Sequence, residues 1–363
     1  MGLEIDKIDK KLAIEETVCE ADSLWQDIRT AEVDIYGLMH TGKQFVRMPT
    51  DIAETVSNNV AELNLNTPGG RIRLKTDSEY VAIRAGWPWT DTFSVKMTYI
   101  ARCGFDMYEK KEDGSWEFVG VFRPKVKPGA GFESVVHFET RRMRDLMIHF
   151  PLFSEIYEVF IGVQKDAVLT HGSKYAVQKP IVWYGSSIVH GGCASRPGTC
   201  YPARCSMALD FDYVNLGFSG SAKGEEAMAR YIAGLDMSVF IMDYDYNSNW
   251  KVLEETHKRM YEIFRESHPK TPVIFASRCN LSWKPATHGQ TLYRRGVISQ
   301  NFTLARNAGD DRVWFIDGQK VFAPYGGDAC TMDGIHPNDL GFYAMAQAYT
   351  PVIKSALEVA DRG

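Results

Sequence analysis

The feature that most constrains this chain is a change of hydrophobic period at Lys179-Pro180. Before it, from about residue 33 to 165, short runs alternate apolar and polar residues: RIRLKTDS at 71–78, YVAIRAGW at 80–87, FSVKMTYI at 93–100, WEFVGVF at 116–122, SVVHFE at 134–139 and IYEVFIGV at 156–163. Pro68-Gly69-Gly70, Asp113-Gly114 and Pro128-Gly129 punctuate them. Period-two runs at that spacing predict a β-sandwich. After it, five short apolar runs (181–185, 213–218, 239–245, 272–277 and 313–318) are interleaved with helix-like segments near 201–210, 224–235, 251–267 and 288–308, and 338–360 closes the chain. Strands alternating with helices imply right-handed crossovers and a five-stranded, doubly wound parallel sheet with helices on both faces. The expected division is a helical or extended lead-in over 1–32, a sandwich over 33–168 and an α/β domain over 175–363, and 363 residues suit two domains.

Charge narrows the partners. A net charge of −5 and the lack of a basic run argue against nucleic acid or an anionic membrane, which leaves a neutral or weakly charged small molecule. The first 18 residues carry no apolar stretch of signal-peptide length, so a cytoplasmic protein is expected. Myristoylation is discounted because position 6 is Asp. No apolar run is long enough to span a bilayer. Of seven cysteines, Cys193, Cys200 and Cys205 cluster near His190, yet their spacing matches no zinc or redox pattern. Buried free thiols are expected, with no metal and no organic cofactor. Homo-oligomerisation stays open.

Ligands of open α/β sheets bind beyond the carboxyl ends of the strands. There the chain reads Gly185-Ser186-Ser187, then Gly217-Phe218-Ser219-Gly220, then Asp245-Tyr246-Asn247, and before the last helix Asp333-Gly334-Ile335-His336-Pro337. A serine hydroxyl is a poor nucleophile until a base takes its proton. Histidine can do so when a carboxylate fixes its tautomer, and a D-x-x-H loop presents both from one segment. The Ser187 and Gly220 N–H groups and the Asn247 amide are donors suited in kind to a developing oxyanion. Ser186 competes as nucleophile, His190 as base, and Asp243, Asp245 and Asp317 as the orienting carboxylate. Gly220 also fits a turn that needs positive φ.

These four blocks, in order over about 178–360, resemble the SGNH (GDSL-like) hydrolase family. The resemblance implies a flavodoxin-like sheet, a catalytic Ser187–His336–Asp333 triad and an oxyanion hole of Ser187, Gly220 and Asn247. Two blocks depart from the family: Gly-Ser-Ser stands for Gly-Asp-Ser, and Asp245 stands where block three has Gly, leaving Asn249 as the fallback amide. Gly104-Phe105-Asp106-Met107-Tyr108 is similar to the G-x-D-L-Y signature of a domain found ahead of certain SGNH esterases, which implies a jelly-roll-like sandwich over roughly 35–165. By that resemblance the substrates are short acyl esters, O-acetyl groups on carbohydrates foremost. A general short-chain carboxylesterase or thioesterase is the rival enzyme, and a carbohydrate-binding protein without activity is the rival of another class. Arg196 is a candidate for substrate oxygens, against a plain loop arginine. Trp87, Trp89 and Phe93 are candidates for a sugar-stacking lip, with sandwich core as the ordinary alternative.

Overall fold

The structure, a computed structural model, describes residues 20–87, 96–124, 131–279 and 285–360, the side chains of 285–288 excepted. The first half is an antiparallel sandwich. One sheet orders Ser23–Asp27, Glu158–Gln164, Tyr80–Gly86 and Gly131–His137. The other orders Leu169–His171, Arg71–Thr76, Arg144–His149, Phe105–Lys110 and Trp116–Phe122, with Asp34–Tyr36 also pairing along Arg71–Thr76. Ile72 and Leu74, paired with Ile148 and Leu146, face Val81, Ile83 and Ile161 across the core. Alternate residues of a strand point to opposite faces, so Arg71 and Arg73 leave through the other side. That side is covered by the second domain: Arg71 pairs with Asp212 and donates to the Tyr213 carbonyl, and Arg73 reaches Asp210.

Two expectations for this half need correction, and one feature was not anticipated. Residues 23–27, placed in a helical or extended lead-in, are an edge strand of the sandwich in full register with residues 160–164, so the sandwich begins before residue 33. The stretch 93–100 is no strand where it is described: Thr98 caps a short helix, Tyr99–Cys103, accepting from the Ala101 N–H. Two further helices, Thr50–Val56 and Asn58–Asn64, bury Ala53 and Val60 against the core of the second domain.

That second domain is the expected sheet. Five parallel strands run in the spatial order Phe211–Gly217, Val177–Gly185, Val239–Asp243, Val273–Ala276 and Val313–Ile316. Both faces are covered. Ile181, Trp183, Ile241 and Ile274 meet the helices Tyr201–Leu209 and Asp339–Ala360. Val182, Tyr184, Phe240, Met242 and Phe275 meet Glu226–Ala233, Trp250–Ser267 and Pro285–Asn307. Strands buried on both faces read as continuous apolar runs, which is why these are short and unbroken in the sequence. The order reverses at Val177–Gly185, the first strand in chain order, and its carboxyl end carries the serines.

Candidate active site

Gly185 ends the first strand in a turn that only a glycine fits. A Cβ there would lie 2.1 Å from Val189 Cγ2 and 2.4 Å from the Asp243 carbonyl oxygen. The one-turn helix Ser187–His190 starts at once, and Gly191, at φ 103°, closes it in the left-handed region. Ser186 is fully buried and caps this helix, its Oγ accepting from the Ile188 N–H at 3.2 Å. The rival nucleophile is thus occupied with holding the turn. Ser187 keeps 8% of its surface, and its Oγ lies 3.0 Å from His336 Nε2.

His336 comes from the loop ahead of the last helix, about 150 residues away. Its Nδ1 lies 2.9 Å from Asp333 Oδ2. A carboxylate can only accept here, so Nδ1 carries the proton and Nε2 is left to accept from Ser187. Asp333 Oδ1 accepts the N–H groups of Ile335 and His336 at 3.0 and 2.8 Å, which fixes the loop around its own carboxylate. A residue that the sequence did not suggest completes the set: Lys96 of the sandwich domain donates to Asp333 Oδ2 at 2.7 Å. Burial pushes the Asp333 carboxyl up. The Lys96 ammonium, the His336 N–H and the His336 ring together outweigh it and hold the group well below the usual carboxylate range.

The second and third blocks meet at Phe218. Asn247 donates its side-chain amide to the Phe218 carbonyl at 2.9 Å, which engages one of its two amide hydrogens. Gly220, at φ 70°, has open space where a Cβ would point. The turn reading and the donor reading of Gly220 therefore coexist. Asn249, the fallback, caps the helix Trp250–Ser267 by accepting from the Val252 N–H and is exposed.

The other rivals are engaged elsewhere. His190 is buried, stacks on Phe153 at 3.8 Å and holds the Leu152 carbonyl of the sandwich domain through Nε2 at 2.7 Å. Burial, with Arg47 nearby, pushes its basicity far down. Asp243 accepts from the hydroxyls of Tyr201 and Tyr349 at 2.6 and 2.8 Å, and burial pushes its carboxyl up to about 7. Asp245 accepts from the Arg278 N–H, and Asp317 pairs with Arg295. The six described cysteines are free, and among the described residues no group of His, Cys, Asp or Glu converges as a metal site. Cys19 lies outside the described residues.

Two proposed substrate contacts must be corrected. Arg196 donates to Asp106 and to the Tyr108 hydroxyl, with its guanidinium 4.1 Å above the Phe118 ring. Asp106 is fully buried and also accepts from the Gly198 N–H at 2.8 Å and lies 3.1 Å from His149 Nδ1. The aspartate and tyrosine of the Gly104–Tyr108 motif thus clamp the loop that follows Ser187, and Arg196 is spent on that clamp. Trp87 is 4% exposed and packs in the sandwich core, its ring 5.0 Å from that of Phe132. Trp89 and Phe93 lie outside the described residues. Beside the Asp333 loop an open groove of about 650 Å³ runs between the domains, lined by Lys96, Met97, Cys193, Ser195, Met332 and Leu340 among others.

Comparison with known proteins places both halves. Residues 178–354 match the GDSL-like lipase/acylhydrolase family, and residues 23–169 match the N-terminus of SGNH-hydrolase-type esterases, named GxDLY. A GDSL-like lipase candidate from Bacteroides ovatus is similar over 93% of this chain and 98% of its own, at 29% identity and a TM-score of 0.84. An acetyl xylan esterase from the rumen bacterium Butyrivibrio proteoclasticus shares the fold over 93% of this chain and 100% of its own, at 13% identity and a TM-score of 0.59. A family two carbohydrate esterase from Clostridium thermocellum, solved with cellohexaose, does so over 81% and 94%, at 15% identity and a TM-score of 0.58. No curated protein sequence matches the chain. With both domain families matched in their proper order on the fold that they share, the chain belongs to the GDSL-like lipase/acylhydrolases that carry a GxDLY N-terminal domain.

Proposed function

We propose that the protein is a serine ester hydrolase that works through an acyl-enzyme on Ser187. The observation that carries this reading is the unbroken chain from Ser187 Oγ to His336 Nε2 and from His336 Nδ1 to Asp333. Ser187 Oγ attacks the ester carbonyl while its proton passes to His336 Nε2. The carbonyl oxygen, now an anion, is met by the N–H groups of Ser187 and Gly220 and the second amide hydrogen of Asn247. Collapse expels the alcohol, which takes the proton from His336. Water then repeats the attack on the acyl-enzyme with His336 as base, releasing the acid and restoring Ser187.

The substrate class we propose is the short acyl ester, foremost O-acetyl groups on carbohydrates. The fold shared with the acetyl xylan esterase and with the carbohydrate esterase solved with cellohexaose supports it. Acetate release from acetylated xylo- and manno-oligosaccharides, run beside 4-nitrophenyl acetate and with Ser187→Ala as control, tests both parts. Release by wild type alone supports nucleophile and substrate. Turnover of the aryl ester alone discards the sugar, and activity that survives in Ser187→Ala discards the nucleophile.

A further inference from the structure

Lys96 belongs to no block of the hydrolase motif and comes from the other domain. Its ammonium donates to the same Asp333 oxygen, Oδ2, that accepts from His336 Nδ1. The side chain is 52% exposed, and an ion pair this open to water adds little to folding stability. What the contact does change is the field at the imidazole.

We propose that Lys96 is a positioning residue of the triad: it fixes Asp333 Oδ2 against His336 and sets the pH above which His336 is a free base for Ser187. This rests on the ester-hydrolase reading. A carboxylate facing an imidazole alone stabilises the imidazolium with its whole charge. With an ammonium on the same oxygen, part of that charge is offset, and the base is released at lower pH. The N-terminal domain thereby supplies a part of the catalytic apparatus as well as one wall of the groove. The other titratable groups about the loop do not compete for this role. The Cys193 thiol, which faces both Lys96 and Asp333, is pushed up to about 11 by burial and by Asp333, so it stays neutral. Asp339, at the start of the last helix, is taken by the Ser195 N–H and hydroxyl and by the Thr199 hydroxyl. Asp328, on the turn preceding the loop, acts on the Cys330 thiol, which burial and this carboxylate push up.

The test uses the full chain with Lys96→Met and Lys96→Arg, both checked for an unchanged melting temperature. Two quantities are followed against pH: kcat/KM for 4-nitrophenyl acetate, and the ring signal of His336 in protein carrying ¹³C-labelled histidine, assigned by its loss in His336→Gln. In Lys96→Met both the acid limb and the ring titration move up by about half a pH unit, the size expected for one partly hydrated charge held on the far side of a shared carboxylate oxygen. Lys96→Arg returns both to the wild-type position, and the gap between wild type and Lys96→Met narrows in high salt. An acid limb and ring titration that do not move overturn the proposal, even where kcat falls uniformly, since a uniform fall is what a merely structural role produces. A wild type inactive toward every ester whose ring titration still moves in Lys96→Met sinks the hydrolase reading while supporting the coupling, so the two failures are distinguishable.

Discussion

Ser187 is the residue at which the proposed mechanism is tested most directly. Ser187→Ala should lower kcat/KM at least about 10³-fold with little change in melting temperature, measured on an aryl acetate and by differential scanning calorimetry. Asp243 gives a prediction of the opposite kind, in stability and not in rate. Its carboxyl is raised in the fold, so the folded state holds a proton that the unfolded state gives up from about pH 4. Folding stability therefore falls as pH rises from there towards about 7, and Asp243→Asn, which has no proton to give up, should show a flatter dependence in urea melts over that window. Asp333 has the reverse sign: depressed in the fold, it contributes stability that is lost only in acid below the ordinary carboxylate range. That Ser187, His336 and Asp333 would meet was legible in the sequence because D-x-x-H is local and the serine follows a strand end. Lys96 was not, because its partner lies 237 residues away and nothing in F-S-V-K-M-T marks a lysine that faces a carboxylate.

The site depends on elements as units. The strand Val177–Gly185 and the helix Ser187–His190 are joined by a glycine whose Cβ space is already filled by Val189 and the Asp243 carbonyl. Gly185→Ala should push that helix outward, lengthening the Ser187–His336 contact. We expect kcat to fall about 10²-fold while substrate affinity changes little, because a misplacement of about 1 Å costs that much. Asn247→Ala should cost about 10²–10³-fold in kcat as a lost oxyanion donor, while the Phe218 carbonyl keeps the Ser221 and Ala222 N–H groups as partners. The five strands of this sheet were readable because burial on both faces leaves an unbroken apolar run. The helix Tyr99–Cys103 was misread because F-S-V-K-M-T-Y-I alternates like a strand, and the Thr98 cap that starts it is a single local hydrogen bond. The strands Phe105–Lys110 and Arg144–His149 were overlooked because acidic and basic residues interrupt them; two of these, Asp106 and Lys110, pair with Arg196 and Asp210 of the other domain.

For the whole molecule, the contact between the halves is the part that no reading of short windows reaches. Buried Asp106 holds Arg196, Gly198 and His149 together, so Asp106→Ala should remove about 3–5 kcal/mol of stability by leaving Arg196 without its carboxylate. Chemical denaturation measures this. Arg47 works likewise, entering from the sandwich side to donate to the Asn215 and Gly217 carbonyls. The helices Thr50–Val56 and Asn58–Asn64 go further, since Ala53 and Val60 sit in one apolar cluster with Met228 and Phe240. That placement governs the order in which the protein can be made. The two helices leave the ribosome well over a hundred residues before the strand and helix that cover them, an interval on the order of ten seconds at ordinary translation speed. During that wait their apolar faces have no native partner, so nascent chains stopped between residues 64 and 226 are the ones a holdase chaperone should retain, and full-length chains the ones it should release.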